Sequence, residues 1–473
     1  VRDPIEGLLE LSRRIGSDPD LTQASGGNTS VKIGGTLLVK AGGASLGALG
    51  REDLVELDLA PLAGLRARSD EEMVRAIRRA RLRPGERAEP SVETPLHSLL
   101  PYRFVAHTHD VRSMAVTDRA DARAQSRRVW GDEVAFVPYA RPGVPLARRI
   151  SETAIGASTR GLALEKHGFV AWGKTADECW ENLKRLLSRA PLPPPLRVGG
   201  SWDRAAALEL LPRLRGAASR PSRVVLHFDP DLVTEASDLK IVRWSMRGMA
   251  TPEHMVRAGA RPEILRRGKR LPRAKTVLIP GVGVATQGAS KSEALAANAC
   301  FRATLRVIRA NGGRFRSVTP QQAREIERWP LVASRMKEAA RRERPMQRIV
   351  AAVVGMSEPG LQREGANVVT GQTADPSLFD RAVLEYGGLD MLICAWTGAE
   401  AAEAAARQAV SIMKRQGLGG RLIYVYTAGQ AAPQFAREKN HQISSLGIEI
   451  FAVMNFCPSE ILHCPLRLRA ARF

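Results

Sequence analysis

The run Phe104-Val105-Ala106-His107-Thr108-His109 sets two imidazoles two positions apart. On a β-strand that spacing sends both side chains to the same face, which is metal-ligand geometry. Fourteen residues before His107, Pro90-Ser91-Val92-Glu93 offers a carboxylate next to a hydroxyl, and Lys166-His167-Gly168 supplies a third imidazole ahead of a glycine. Together His107, His109 and His167 make a candidate three-histidine zinc site with one open position, and Glu93 is the base beside it. Zinc held by three neutral imidazoles keeps its full double charge, so it can polarise a substrate carbonyl and the neighbouring hydroxyl during carbon–carbon cleavage or proton loss. The same residues are also compatible with a packed or surface histidine pair. His97, four residues after Glu93, is open to a structural reading on the same helix face.

Two glycine-rich stretches stand close by in the sequence. In Ala24-Ser25-Gly26-Gly27-Asn28-Thr29-Ser30, consecutive glycines let backbone amides approach an anion, and the Asn and Ser side chains add donors. Lys40-Ala41-Gly42-Gly43-Ala44-Ser45 gives a second such turn after a strand and next to a cation. Each reads as a phosphate cradle or as an ordinary loop.

These groups need a scaffold of several domains, because 473 residues exceed one ordinary core. Residues 1–190 alternate short apolar runs with helical stretches, which suits an α/β domain; Val31-Lys32-Ile33 and Thr36-Leu37-Leu38-Val39-Lys40 flank Gly34-Gly35 as a hairpin. Pro191-Leu192-Pro193-Pro194-Pro195 marks a stiff linker over 191–196. A middle α/β region, 197–345, carries strands at Val224–Phe228 and Thr276–Ile279 and a long helix from about Ser292 to Ala310, capped by Asn311-Gly312-Gly313. Thr319-Pro320 opens another helix with a capping hydroxyl and proline at its first position. From 346 to 473, strands at 349–354, 367–369, 391–393, 422–425 and 448–453 alternate with helix signals, including the alanine-rich 401–409, and predict a parallel sheet.

Composition narrows the partners. The formal charge of +22 would suit a polyanion, but the arginines are spread in pairs along the chain and aromatics are only 5%, so nucleic acid is not the expected partner. No apolar run reaches the roughly 20 residues needed to cross a bilayer, and Val1-Arg2-Asp3-Pro4 does not open an apolar signal segment. A cytoplasmic location without membrane attachment is expected. The five cysteines show no CxxC spacing and read as reduced.

The order Gly26 to Ser30, Lys40 to Gly43, Pro90 to Glu93, His107 to His109, then His167-Gly168 through Trp172-Gly173-Lys174-Thr175 resembles the class II aldolase and adducin head family over residues 1–190. Enzymes of that family, such as fuculose-phosphate and rhamnulose-phosphate aldolases, use zinc to cleave a ketose 1-phosphate into dihydroxyacetone phosphate and an aldehyde. The resemblance implies an α/β/α domain, His107, His109 and His167 as zinc ligands, Glu93 as acid/base, and Gly27, Asn28, Gly43 and Ser91 at the phosphate. It also implies a small sugar phosphate as partner and a homo-oligomer. Gly42 stands where relatives often carry a hydroxyl.

Beyond the linker, Arg247 to His254 and Pro280-Gly281-Val282-Gly283 resemble the middle of bifunctional rhamnulose-1-phosphate aldolase/short-chain dehydrogenase proteins. The dehydrogenase part then reads as a shortened Rossmann-like domain. After Ile349–Gly355 comes Met356-Ser357-Glu358-Pro359-Gly360 without a GxxxGxG turn, the second strand arrives early, and Tyr426 has Gln430 rather than lysine four residues on. NAD(P) is therefore not the expected cofactor. Pro280-Gly281-Val282-Gly283, followed by Thr286 at the third glycine position, reads as a tight turn before a helix rather than a dinucleotide loop. The readings that compete with a lyase are a nicotinamide-dependent dehydrogenase acting on lactaldehyde or a sugar, and a non-catalytic adducin-like module.

Overall fold

Gly34 and Gly35, with φ of 53° and 87°, turn β1 (Asn28–Ile33) back onto β2 (Thr36–Lys40) in the expected antiparallel hairpin. Only residues tolerant of positive φ make this turn without strain. In this computed structural model, which describes residues 3–62, 69–83, 88–266, 268–357, 360–396, 398–426 and 444–454, the hairpin belongs to a seven-stranded sheet. The other strands are β3 (Leu54–Asp58), β4 (Phe104–Thr108), β5 (Val134–Val137), β6 (Gly161–Leu164) and β7 (Gly168–Gly173), in the order β3-β2-β1-β4-β7-β6-β5. β4 is central and both its neighbours run antiparallel to it. The start of β1, the end of β4 and the start of β7 therefore share one edge, where Asn28 faces His107 and Phe169 faces Thr108.

Strand alternation divides β4 between two cores. Phe104 and Ala106 pack with Leu8, Leu11 and Ile15 of the helix Pro4–Gly16 and with Leu183 and Leu187 of Ala176–Arg189. Val105 packs on the opposite face with Val170, Trp172, Leu96, Leu146 and Ile150. The result is an α/β/α layering. Helix Pro4–Gly16 starts where it does because the Asp3 carboxylate accepts from the Ile5 N–H and Pro4 needs no partner at the first position. Its buried leucines face the sheet, and truncating the fully buried Leu8 to alanine is expected to cost about 2–5 kcal/mol.

The chain forms two units. This sheet lies in the first, made of Val1–Leu196, Arg243–Arg261 and Ala299–Val332; the second comprises Arg197–Val242, Pro262–Asn298 and Ala333–Phe473. The segment 197–345 thus contributes to both.

In the second unit, β8 (Val225–Asp229), β9 (Glu263–Ile264), β10 (Thr276–Ile279) and β11 (Gly283–Gly288) form a sheet in the order β8-β11-β10-β9. Pro280-Gly281-Val282 is a tight turn as expected, but it joins the antiparallel β10 and β11 instead of leading into a helix. A pyrophosphate loop needs that helix N-terminus, so the dinucleotide reading falls on topology as well as on sequence. β12 (Val350–Val354), β13 (Asn367–Gly371), β14 (Met391–Ala395), β15 (Gly420–Tyr426) and β16 (Ile448–Met454) are all parallel, ordered β13-β12-β14-β15-β16. Helices Pro376–Tyr386 and Ala399–Gln416 make two of the crossovers. Between β12 and β13 no helix occurs among the described residues. The alanines of Ala399–Gln416 let Arg204–Ala218 pack closely, with Leu211 and Leu214 in one core with Ala405 and Ala409. The long helix of the middle segment spans Lys291–Asn311, and Thr319 opens Pro320–Glu327 in a capping box with Gln322. No helix among the described residues is long and apolar enough to cross a membrane.

Candidate metal centre

At the shared edge of β1, β4 and β7, the side chains of Glu93, His107, His109 and His167 converge. One ligand atom from each lies within 4.8 Å of the others, and all four residues are buried. The Nε2 atoms of His107 and His109 are 3.2 Å apart. Glu93 Oε1 is 2.7 Å from His167 Nε2 and 3.4 Å from His107 Nε2. In a tetrahedron with spokes of about 2.0–2.1 Å the edges are about 3.3–3.4 Å; the His107–His109 spacing is close to that, while Glu93 Oε1 stands at hydrogen-bond distance from His167 Nε2, so the carboxylate lies beside the point where three imidazoles would meet one small divalent cation. A set of three imidazoles and one carboxylate is also chemically suited to such an ion.

Three glycines make the convergence possible. A Cβ on Gly168 would lie 1.9 Å from the Thr108 carbonyl oxygen, and one on Gly26 would lie 2.8 Å from His109 Nδ1. Gly27, at φ +73°, would bring a Cβ within 2.8 Å of the His107 carbonyl oxygen. Backbones on either side of β4 therefore approach the histidine strand more closely than any side chain allows. His167 is presented by Lys166, a non-glycine residue at φ 53°. Such a conformation persists only where the surroundings enforce it. Lys166 Nζ donates to Gln322 Oε1 at 3.3 Å and lies over the Tyr139 ring.

A hydrogen bond fixes which ring nitrogen of His107 faces inward. His107 Nδ1 donates to the Phe169 carbonyl at 2.9 Å, which leaves Nε2 as the lone-pair nitrogen. The Asn28 amide donates to Glu93 Oε2, and Ser91 Oγ accepts from the Glu93 N–H at 3.3 Å. Burial alone would raise the Glu93 carboxyl, but the charges and hydrogen bonds of His107 and His167 outweigh it and hold the group well below the usual range. Burial works against protonation of His107, while Glu93 and the Phe169 carbonyl more than offset it, so that imidazole is raised. His109 is pushed well below its ordinary value by burial and then by His107 and His167, which keeps it in the neutral form that coordinates metal. Directly after it, Asp110 caps helix Val111–Thr117 by accepting from the Ser113 N–H at 2.7 Å, which sets where the strand ends.

His97 does not join this group. Glu93 is the cap of helix Thr94–Leu99 rather than part of it, so the expected shared face is lost. Instead His97 Nδ1 meets Ser30 Oγ at 2.8 Å, and burial followed by the charge of Lys32 lowers it to about 3. It is a structural, neutral histidine.

The residues tied to phosphate lie around the same edge. Gly27 directly precedes β1 and Asn28 begins it. Gly43, at φ +90°, has open space where a Cβ would be. The Asn28 and Ser91 side chains are turned toward Glu93. Lys40, buried, joins the two glycine turns: its Nζ donates to the carbonyls of Ser25 (3.2 Å), Ala41 (3.3 Å) and Ala44 (2.8 Å). The sequence signals a cation beside the second turn but not that it clasps the first. Nor does it signal that helix Pro252–Ala258 reaches this place, where His254 Nε2 and Gln23 Oε1 lie 2.9 Å apart beside the first turn.

The family model of the Class II Aldolase and Adducin N-terminal domain matches residues 6–190. The chain thus carries a class II aldolase domain, and all four converging residues lie inside it. The chain is 24% identical to the uncharacterized oxidoreductase YuxG of Bacillus subtilis (strain 168), over 82% of this chain and 72% of that protein. Among solved structures it is similar to the N-terminal class II aldolase domain of a conserved protein from Thermoplasma acidophilum, at 32% identity over 40% of this chain and 92% of that one, with a TM-score of 0.37. It is also similar to L-fuculose-1-phosphate aldolase from Thermus thermophilus, at 17% identity over 39% of this chain and 89% of that one, with a TM-score of 0.27.

Proposed function

We propose that this chain is a zinc-dependent carbon–carbon lyase that cleaves a ketose 1-phosphate, such as rhamnulose 1-phosphate, to dihydroxyacetone phosphate and an aldehyde. The observation that carries this reading is the meeting of three imidazole nitrogens with one buried carboxylate at the edge of a class II aldolase domain. His107, His109 and His167 hold the zinc. When bound, the ion supplies Lewis acidity toward the substrate's carbonyl and adjacent hydroxyl oxygens. Glu93 takes the proton from the hydroxyl at carbon 4 as the bond to carbon 3 breaks, and returns it to carbon 3. Asn28 holds the other carboxylate oxygen, so Glu93 is steered while it moves the proton. Gly27, Asn28, Gly43 and Ser91 line the place of the phosphate, and Lys40 keeps the two turns in one arrangement.

In this reading 1–190 is the catalytic domain, 191–196 a proline-rich linker and 197–345 a middle region. Residues 346–473 are a shortened Rossmann-like domain of short-chain dehydrogenase descent, and the protein works as a cytoplasmic homo-oligomer. The parallel order β13-β12-β14-β15-β16 is that of a doubly wound α/β sheet, the class to which such a domain belongs. With the oxidoreductase name of YuxG, it also favours a second reading, an NAD(P)-dependent dehydrogenase acting on lactaldehyde or a sugar. The Gln430 that bears on this lies outside the described residues. Metal analysis of the purified protein, with a screen of ketose 1-phosphates for release of dihydroxyacetone phosphate, tests the lyase. Release that disappears in His107→Ala and Glu93→Gln supports it; equal turnover in all three proteins overturns the assigned roles. Tight NAD(P)H binding with turnover of an aldehyde, and no lyase activity, would put the second reading in its place.

A further inference from the structure

The ring of His167 is held differently from that of His107. His107 Nδ1 is tied to the Phe169 carbonyl, whereas His167 Nδ1 is buried with no hydrogen-bond partner among the described residues. Its Nε2 faces Glu93 at 2.7 Å, on the side a metal would take. The outer hydrogen bond that ordinarily orients a ligating imidazole is thus missing, and the aim of this ring rests on the backbone that carries it. After it, Gly168 is pressed against β4, where a Cβ would lie 1.9 Å from the Thr108 carbonyl oxygen. Before it stands Lys166 at φ 53°. A β-carbon is crowded there, so the conformation lasts only where something imposes it.

What imposes it comes from outside residues 6–190. Lys166 is buried; its Nζ donates to Gln322 Oε1 at 3.3 Å and lies 5.7 Å from the centroid of the Tyr139 ring. Gln322 is itself fixed, because its Oε1 also accepts from the Thr319 N–H at 2.9 Å while its own N–H donates to Thr319 Oγ1 at 3.2 Å. Helix Pro320–Glu327 is moored to the first unit on both sides. Ahead of it, Phe315 pairs antiparallel with Arg119, and the Arg316 N–H donates to the Asp118 carbonyl at 2.9 Å. Behind it, Trp329 lies 4.3 Å from the Arg141 guanidinium, in space left by Gly143, whose Cβ would stand 3.1 Å from the indole. Arg141 in turn donates to Glu325 Oε1 at 3.2 Å and Asp70 Oδ2 at 2.6 Å. We infer that Gln322 and Lys166 are positioning residues for the third metal ligand: Gln322 holds the Lys166 side chain, Lys166 keeps the left-handed backbone, and that backbone aims His167. The inference rests on the metal-centre part of the lyase reading and is independent of the sugar cleaved.

The test uses the full chain, with zinc affinity measured by competition against a chromophoric chelator and the ligand field read from the visible absorption of the cobalt(II)-loaded protein. Gln322→Ala is expected to weaken zinc binding by about tenfold, the low end for loss of an outer partner of a metal ligand, and to change the cobalt bands. Gln322→Glu keeps an acceptor for both Lys166 Nζ and the Thr319 N–H, so it should bind zinc within about threefold of wild type. Lys166→Ala removes the tethers but keeps the β-carbon and should lose at least about tenfold, whereas Lys166→Gly, free to adopt this φ, should lose roughly threefold at most. In the Lys166→Gly background, removal of the Gln322 side chain should cost nothing further, as expected when two residues act through one contact. A Gln322→Ala protein with a lowered thermal midpoint but wild-type zinc affinity and cobalt spectrum would show a plain structural brace and overturn the proposal. Should that variant not fold, the pair at position 166 decides: Lys166→Gly as weak as Lys166→Ala counts against it. Wild-type protein that takes up neither metal would sink the metal-centre reading itself; wild-type uptake with unaffected variants would sink the positioning role alone.

Discussion

Two buried clusters of charge, one in each unit, are built on opposite principles. In the second unit Asp390 accepts from Arg215 Nη1 and Nη2 (3.2 and 2.6 Å), Arg223 Nε (3.1 Å), Gln416 Nε2 (3.1 Å) and the Val350 N–H (2.9 Å). Arg215 in turn donates to the Val224 and Arg348 carbonyls. Burial would raise the Asp390 carboxyl, but Arg215 and then Arg223 overcome it and hold the group below its ordinary value. Donors and acceptors match within the protein, so the cluster is complete as it stands. In the first unit three imidazoles bring Nε2 atoms together beside a carboxylate, and His109 Nδ1 and His167 Nδ1 are buried with no hydrogen-bond partner among the described residues. Three ring nitrogens and a carboxylate gathered at one buried point suit a cation from outside. Asp390 locks a fold, whereas the histidine cluster is shaped for something the chain does not itself contain.

Breaking each cluster should therefore have separate consequences. The largest effect is expected from His107→Ala: loss of lyase turnover by at least roughly 1,000-fold, because both the metal and its Lewis acidity go, with a far-ultraviolet spectrum like wild type. Glu93→Gln should keep the metal yet lower turnover by about 100- to 10,000-fold, as expected when a proton-transfer group is lost; wild-type turnover in that variant would remove Glu93 from the mechanism. Asp390→Ala should do the reverse. It leaves Arg215 buried and uncompensated at a cost of about 3–5 kcal/mol in denaturant unfolding, with zinc per folded chain unchanged. If Asp390→Ala instead emptied the metal site at full stability, the separation drawn between the clusters would fail.

The smallest effect is a pH dependence. His254 is lowered from its ordinary 6.5 to about 4 by burial, so as pH falls the unfolded chain takes up this proton before the folded one. Stability from this group is full above about pH 6.5 and is lost progressively toward about pH 4. The thermal midpoint should fall across that window, and His254→Asn should show a shallower slope whatever its starting stability. An equal slope in the two proteins would show that His254 is not the group titrating.

Residue type and spacing carried the chemical part of the site. HTH, PSVE and HG name their donors directly, and Gly26, Gly27 and Gly168 mark the close backbone approaches that those donors require. The strands of the parallel sheet were also readable, because apolar runs such as Val350–Val354 are buried along their whole length. Relations set by register or by distant pairing were not. Glu93 and His97 were expected on one helix face, but Glu93 sits one position outside the helix. Pro280 to Gly283 was expected before a helix, and the strand after it shows only weak alternation in the sequence. Arg257 and Ser25 are separated by 232 positions, and nothing local to either announces the other. Cys457 and Cys464 lie outside the described residues; Cys179, Cys300 and Cys394 are free and buried, in keeping with reduced thiols.

Metal stoichiometry and coordination, measured by elemental analysis and X-ray absorption on zinc-reconstituted protein, bear most directly on the site. One zinc per chain with three imidazole nitrogens in its first shell is expected, falling to none in His107→Ala. A protein that takes up no zinc, or that holds as much in His107→Ala with an unchanged nitrogen count, would contradict the reading of the four converging residues as a metal centre.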